Sequence, residues 1–197
     1  MTLQIRHPLF DQLRELDREI ARRLPREHDP GLGGVGLILT PKLQNGGYRC
    51  TPSNSRAFAH TGGEGVHFSF LGEPDEIDET SAIIVTIPGV FDHPNFIVGE
   101  SLFEFLCFGM YRGFFAIEQL GYRFEEAFRA YTDPNWQPSE DRHHWVGYGV
   151  DDRKRAILNL LIEKLQLAPW QQPLKKFHRL QEEYLGRLII PPETDCI

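Results

Sequence analysis

The chain has 197 residues, 28 acidic and 21 basic side chains, a formal charge of −7 and an apolar fraction of 41% that includes 14 Phe. That length supports one domain with a substantial core, and the composition excludes a disordered chain. No uncharged apolar run reaches the roughly 18 residues of a membrane span, the longest, Thr80 to Phe91, being interrupted by Pro88. Cys50, Cys107 and Cys196 are odd in number and far apart, so neither a disulfide framework nor a Cys-based metal site is indicated. Arg6, Asp11, Arg14 and Glu15 leave no secretory apolar core near the N-terminus, and a soluble protein of the reducing cytoplasm is expected.

Leu9, Leu13, Leu16, Ile20 and Leu24 lie on one stripe of an amphipathic helix predicted from about Pro8 to Leu24, with Pro25 ending it. Val35, Leu37 and Leu39 alternate as a strand that Pro41 stops, and Asn45-Gly46-Gly47 turns into a partner strand at Tyr48 to Thr51. A second hairpin is centred on Arg56 to Leu71. There Val66, Phe68 and Phe70 alternate with His67, Ser69 and Leu71, Gly62, Gly63 and Gly65 supply positive φ at the turn, and Glu64 holds the exposed tip.

Ala82 to Ile87 is apolar on both faces and belongs inside a sheet covered on both sides, while Asp92-His93-Pro94-Asn95 forms a turn. Ser101-Leu102-Phe103-Glu104 is a capping box: the Ser101 oxygen can accept from the Glu104 amide, and the Glu104 carboxylate can reach back. Leu102, Phe105, Leu106 and Met110 then face inward. Phe114 to Leu120 continues as a strand or short helix, and Phe124 to Tyr131 as a helix. Residues 132–149 read as a long loop. Asp151 or Asp152 caps a helix carrying Ile157, Leu161 and Leu165 that Pro169 closes, and a last helix from Pro173 carries Phe177, Leu180, Tyr184 and Leu188. The expected class is α+β, a mixed or mostly antiparallel sheet flanked by helices in a single domain 1–197, with a core at 1–131, the loop at 132–149 and helices at 150–190 packed on that core.

Charge is distributed unevenly. No Lys or Arg lies between Ala57 and Tyr111, whereas nine acids do: Glu64, Glu73, Asp75, Glu76, Asp78, Glu79, Asp92, Glu100 and Glu104. The stretch carries −9 and the rest of the chain +2, so the acidity is local. Either a solvated loop at Glu73 to Glu79 keeps the protein soluble or it is presented to a basic partner.

Thr61-Gly62-Gly63-Glu64-Gly65-Val66-His67-Phe68-Ser69-Phe70, a β-branched strand ending near Asp92-His93, and Glu100-Ser101-Leu102-Phe103-Glu104-Phe105-Leu106 resemble, in their order, the SUKH superfamily over about Arg56 to Leu106. The resemblance implies an α+β fold, a non-catalytic binding role, and, for many members, immunity against polymorphic toxins. The chain departs from the pattern in its N-terminal helix, where only Leu24-Pro25 corresponds, and in the helices after Thr132.

Other chemistry finds little support. His60, Glu64 and His67 could converge as metal ligands on the hairpin, but no fourth ligand is identifiable, and His67 should point away from Phe68, to solvent or the far side of the sheet. Gly62-Gly63-Glu64-Gly65 precedes a strand, not a helix, and carries an acid where a phosphate would bind. Asp92, His93 and Ser101 supply triad residue types without a nucleophile elbow, and Cys107 sits in an apolar helix context. The Arg153-Lys154-Arg155 cluster adjoins Asp151-Asp152, so nucleic acid is not an expected partner, nor is a membrane. His143-His144-Trp145, with Trp136 and Tyr148 nearby, is a second candidate contact. The expected function is therefore a cytoplasmic binding protein without cofactor or metal, neutralising a basic partner through Glu64, Glu73, Asp75, Glu76, Asp78 and Glu79. The alternative is a small hydrolase-like or metal-dependent enzyme using the His60/Glu64/His67 or Asp92/His93 region.

Overall fold

A computed structural model describes residues 7–25, 30–137 and 149–192. Five strands, β1 (Ile38–Gln44), β2 (Ser55–His60), β3 (His67–Leu71), β4 (Ile83–Thr86) and β5 (Asn95–Gly99), form one antiparallel sheet in sequence order, each paired with the next. Five α-helices accompany it: α1 (Pro8–Arg23), α2 (Leu102–Gly109), α3 (Phe124–Thr132), α4 (Asp152–Leu165) and α5 (Pro173–Tyr184). The class is α+β.

The apolar stripe of α1 buries Phe10, Leu13, Leu16 and Ile20 against one face of the sheet, where Phe10 meets the Phe58 and Phe70 rings edge-on. Phe58 sits where the β2–β3 register slips, and the extra residue there turns its ring into the core beside Phe70 and Phe105. Ser101 caps α2 as expected, its oxygen accepting from the Glu104 amide at 3.3 Å. The Glu104 carboxylate does not close the capping box; it pairs with Lys176 of α5. Asp151 caps α4 by accepting from the Lys154 amide at 2.7 Å. That helix stops at Leu165 with Gln166 in the left-handed region, four residues before Pro169.

Three further expectations, all in the strand region, fail. Residues Gly31–Val35 form a 3₁₀ turn, and β1 begins only at Ile38 and continues past Pro41 through a break in its register with β2 between Leu39 and Gln44. A proline is compatible there because it falls in this bulged segment of an edge strand, and the Arg14 guanidinium donates to the Thr40 and Pro41 carbonyls. Tyr48 to Thr51 is a turn, not a strand, and lies across the far face of the sheet. At the hairpin tip Gly62 and Gly65 have positive φ but Gly63 does not; the third left-handed residue is Glu64, at φ 47°.

The far face is polar along one row. His60, His67, Thr86 and Asn95 are register partners across four strands. Thr86 donates to the Asn95 side chain at 2.7 Å, and Asn95 donates to the Cys50 carbonyl at 2.9 Å, which fixes the Tyr48 to Thr51 turn over the row. Further along, Ile84, Ile97 and Leu180 are fully buried where α5 covers the sheet. Gln181 of α5 makes two hydrogen bonds to one residue of the edge strand β5: it accepts from the Ile97 amide at 2.9 Å and donates to the Ile97 carbonyl at 2.8 Å. Beyond α5 the chain docks by a similar exchange, with Asn54 donating to the Arg187 carbonyl and accepting from the Ile189 amide.

Replacing Ser101 with Ala is expected to cost about 1 kcal/mol, the usual worth of a helix cap. Gln181→Ala is expected to cost more, about 2 kcal/mol, because it strips partners from both an amide and a carbonyl of β5. Urea unfolding of the two variants checks the ranking.

Candidate partner-binding surface

The loop from Gly72 to Ser81 joins β3 to β4 and is built to hold its acids outward. Ile77 is its anchor, buried at 6% exposure, while Glu73, Asp75, Glu76, Asp78 and Glu79 are all exposed. The Glu76 amide donates to the Glu73 carbonyl, the Asp78 amide donates to the Ser81 hydroxyl, and both the amide and hydroxyl of Thr80 donate to the Asp78 carboxylate at 2.8 and 2.7 Å. The Thr80 bonds hold the Asp78 carboxyl below its ordinary value, so this charge persists into mild acid.

The acids that lack sequence neighbours of opposite charge do not all lack spatial ones. Glu73 pairs with Arg56 at 2.7 Å, and Glu100 with Arg179 at 2.7 Å and Lys176 at 3.3 Å. The hydrogen bond from Arg179, aided by Lys176, holds the Glu100 carboxyl below its ordinary value. With Glu104 also on Lys176, the field of the central stretch is trimmed at the α2 end and concentrated elsewhere. Among the described residues Asp75, Glu76, Asp78 and Glu79 make no ion pair, and they share one loop.

Glu64 lies at the other end of the sheet, exposed at the hairpin tip. Its charge helps raise the Glu118 carboxyl and the Tyr122 phenol, although burial is the larger cause for both. A cleft of about 300 Å³ beside this hairpin is bounded by Gln44, Tyr48, His60, Glu64 and His67. His67 faces the far side of the sheet and not solvent, and its ring is fully engaged. Nδ1 lies 2.8 Å from the Gly65 carbonyl, Nε2 lies 3.1 Å from the Thr51 hydroxyl, and Tyr48 stacks on the ring at 5.8 Å. Bonding the Gly65 carbonyl places the proton on Nδ1 and leaves Nε2 to accept from Thr51. The residue locks the turn over the sheet, and neither nitrogen faces the cleft as a free ligand. Among the described residues no three His, Cys, Asp or Glu are grouped to hold a metal ion.

Asp92 and His93 are exposed on the β4–β5 turn, at the opposite end of β5 from Ser101, so these three do not converge. Cys107 is buried, and burial pushes its thiol up. His143, His144, Trp145 and Tyr148 lie outside the described residues. Missed from the sequence is Phe91, 94% exposed between Val90 and Asp92; an aromatic flanked by turn residues was its one signal. Comparison with models of known protein families, with curated proteins and with solved structures finds no match.

Two buried histidines make the fold acid-sensitive. His7 caps α1 by accepting from the Phe10 amide at 3.2 Å, and burial lowers its affinity for a proton even though Glu79, Asp11 and Asp78 pull the other way. Burial likewise lowers His67, with His60 adding to the effect. Both groups are neutral in the fold and bind protons near pH 6.5 when unfolded. Their contribution is complete above that pH and is lost as pH falls from about 6.5 toward the lower folded values. Urea midpoints should therefore fall between pH 7.5 and 5.5. Identical midpoints would contradict the assignment, and His67→Asn should flatten the dependence.

Proposed function

We propose that the chain is a non-catalytic binding protein of the immunity or antitoxin kind, acting in the cytoplasm, which occupies a basic surface of a partner protein with the Glu73 to Glu79 loop. The observation that carries this reading is the contrast within the acidic stretch. Glu73, Glu100 and Glu104 are matched by cations of the same fold, whereas Asp75, Glu76, Asp78 and Glu79 are aimed at solvent from a loop with a buried anchor and internal hydrogen bonds. A loop serving only solubility has no need of that order, while a binding loop gains from it because less freedom is lost on association. The resemblance of the hairpin, strand and capped helix to the SUKH superfamily supplies the immunity role, with a toxin as partner. Among the described residues no helix is long and apolar enough to cross a membrane.

Clustered charge acts chiefly on encounter, so the association rate with the partner should fall by about tenfold or more from low to high salt while dissociation changes little. Reversing Asp75, Glu76, Asp78 and Glu79 to Lys should slow association by a similar factor without unfolding the protein, because exposed loop side chains carry little packing energy. Glu163→Lys, an exposed change beside Lys164 on α4, is the control and should leave the rate nearly unchanged. Stopped-flow measurement decides; a rate insensitive to both salt and loop reversal would leave the loop a solubilising feature.

A further inference from the structure

We propose that the end of the sheet opposite the acidic loop is a two-fold contact between two copies of this chain, with Phe91 of each copy seated in an apolar groove of the other. The groove, about 740 Å³, lies between the β4–β5 turn, the turn at Tyr122 before α3, and the segment following α5. Phe96, Phe124 and Phe177 contribute to its lining, and Tyr122, Leu185 and Ile190 remain 49, 38 and 48% exposed at its sides. Phe91 stands at its mouth and leaves it unfilled, with 94% of its surface in water.

The turn that carries the projecting ring is held in place. The Ile87 amide donates to the Pro94 carbonyl at 2.7 Å and the Val90 amide to the Ile87 carbonyl at 3.0 Å, closing the turn at both levels. The turn also interlocks with its neighbour: a Cβ at Gly89 would collide with the Tyr122 hydroxyl, and one at Gly121 would collide with the Val90 side chain. A large apolar side chain carried outward on a fixed turn loses little backbone freedom on insertion.

A partner of a different kind would need only the groove. A projecting ring and an apolar recess on the same face are the two halves of an isologous contact, in which each copy gives what the other receives. Charge follows the same pattern. Asp92 succeeds the ring, and Arg123 and Arg187, which pair within the chain with Glu126 at 3.9 Å and Glu183 at 3.5 Å, adjoin the groove residues Tyr122, Phe124, Leu185 and Leu188 in the chain, so the two-fold brings an acid of one copy toward bases that are exposed but already partnered in the other. The four exposed apolar side chains present roughly 400 to 500 Å² of surface per copy, so pairing two copies removes about 800 to 1,000 Å² from these side chains alone, near the lower bound for a specific interface. The pairing leaves both acidic loops at the outer ends, free for the partner of the proposed function.

Sedimentation velocity of the full chain from low to high micromolar concentration tests the contact. The wild-type chain is expected to shift from one to two copies. Phe91→Ser, which removes both rings from the interface, should weaken dimerisation by about a hundredfold, and Ile190→Glu, which places a charge in both grooves, should do the same. Mixed together, the two variants should regain part of the association, since the Phe91→Ser copy keeps an intact groove and the Ile190→Glu copy an intact ring. A wild-type chain that stays monomeric, or a folded Phe91→Ser chain that dimerises as well as wild type, overturns the proposal. So does a mixture of the two variants that associates no better than either alone; far-UV circular dichroism establishes that each is folded.

Discussion

The Gln181 side chain supplies to Ile97 the donor and the acceptor that a sixth strand would have supplied, and the rest of the structure depends on that substitution of a side chain for a strand. An antiparallel meander ends in two edges whose backbone groups invite pairing with other chains. At β1 the edge is blunted by Pro41 and by Arg14 on the Thr40 and Pro41 carbonyls. At β5 it is covered by α5, and Gln181 sets the helix at the height where Leu180 buries on Ile84 and Ile97 while Phe177 reaches the rings of Phe124 and Phe128.

Once α5 is fixed there, the electrostatics follow. Lys176 and Arg179 lie on the turns of α5 flanking Phe177 and Leu180, within reach of Glu100 and Glu104 at the start of α2. The helix thus closes the sheet, covers its far face and neutralises the acids nearest to it. The loop between β3 and β4 lies at the same end of the sheet but outside the reach of these cations, and it keeps its charge. The acidic surface is what remains after internal pairing, which is why it is confined to a few residues and not spread over the whole stretch.

Much of the frame was legible in the sequence because local rules decide it. The spacing of Leu13, Leu16 and Ile20 gives α1, the alternation of Phe68 and Phe70 gives β3, and Ser101 and Asp151 mark helix starts whose hydrogen bonds form as expected. Tertiary context decided the rest. Pro41 does not end β1 because it falls in a bulged segment of an edge strand, where no ladder hydrogen bond is asked of it. The strand Asn95–Gly99 is not marked in the sequence, since the six residues between Pro94 and the capping Ser101 carry little periodic signal. Pairings between Glu104 and Lys176, or Ile97 and Gln181, span more than seventy residues and leave no trace in a window of the chain. The same blindness made the acidic stretch look uniform. Glu64 is close to Glu73 to Glu79 in the chain but lies at the far end of the sheet from them and is not part of the same surface.

In the proposed function the partner is held at the loop between β3 and β4. Hydrogen exchange measured by mass spectrometry on the complex recovered from the native host reads this directly, peptide by peptide, against the free protein. Binding at that loop should slow exchange over Gly72 to Ser81 and leave the hairpin tip at Gly62 to Gly65 and the exposed side of α5 unchanged. Slowed exchange at the tip or along α5, with the acidic loop exchanging as in the free chain, would contradict it.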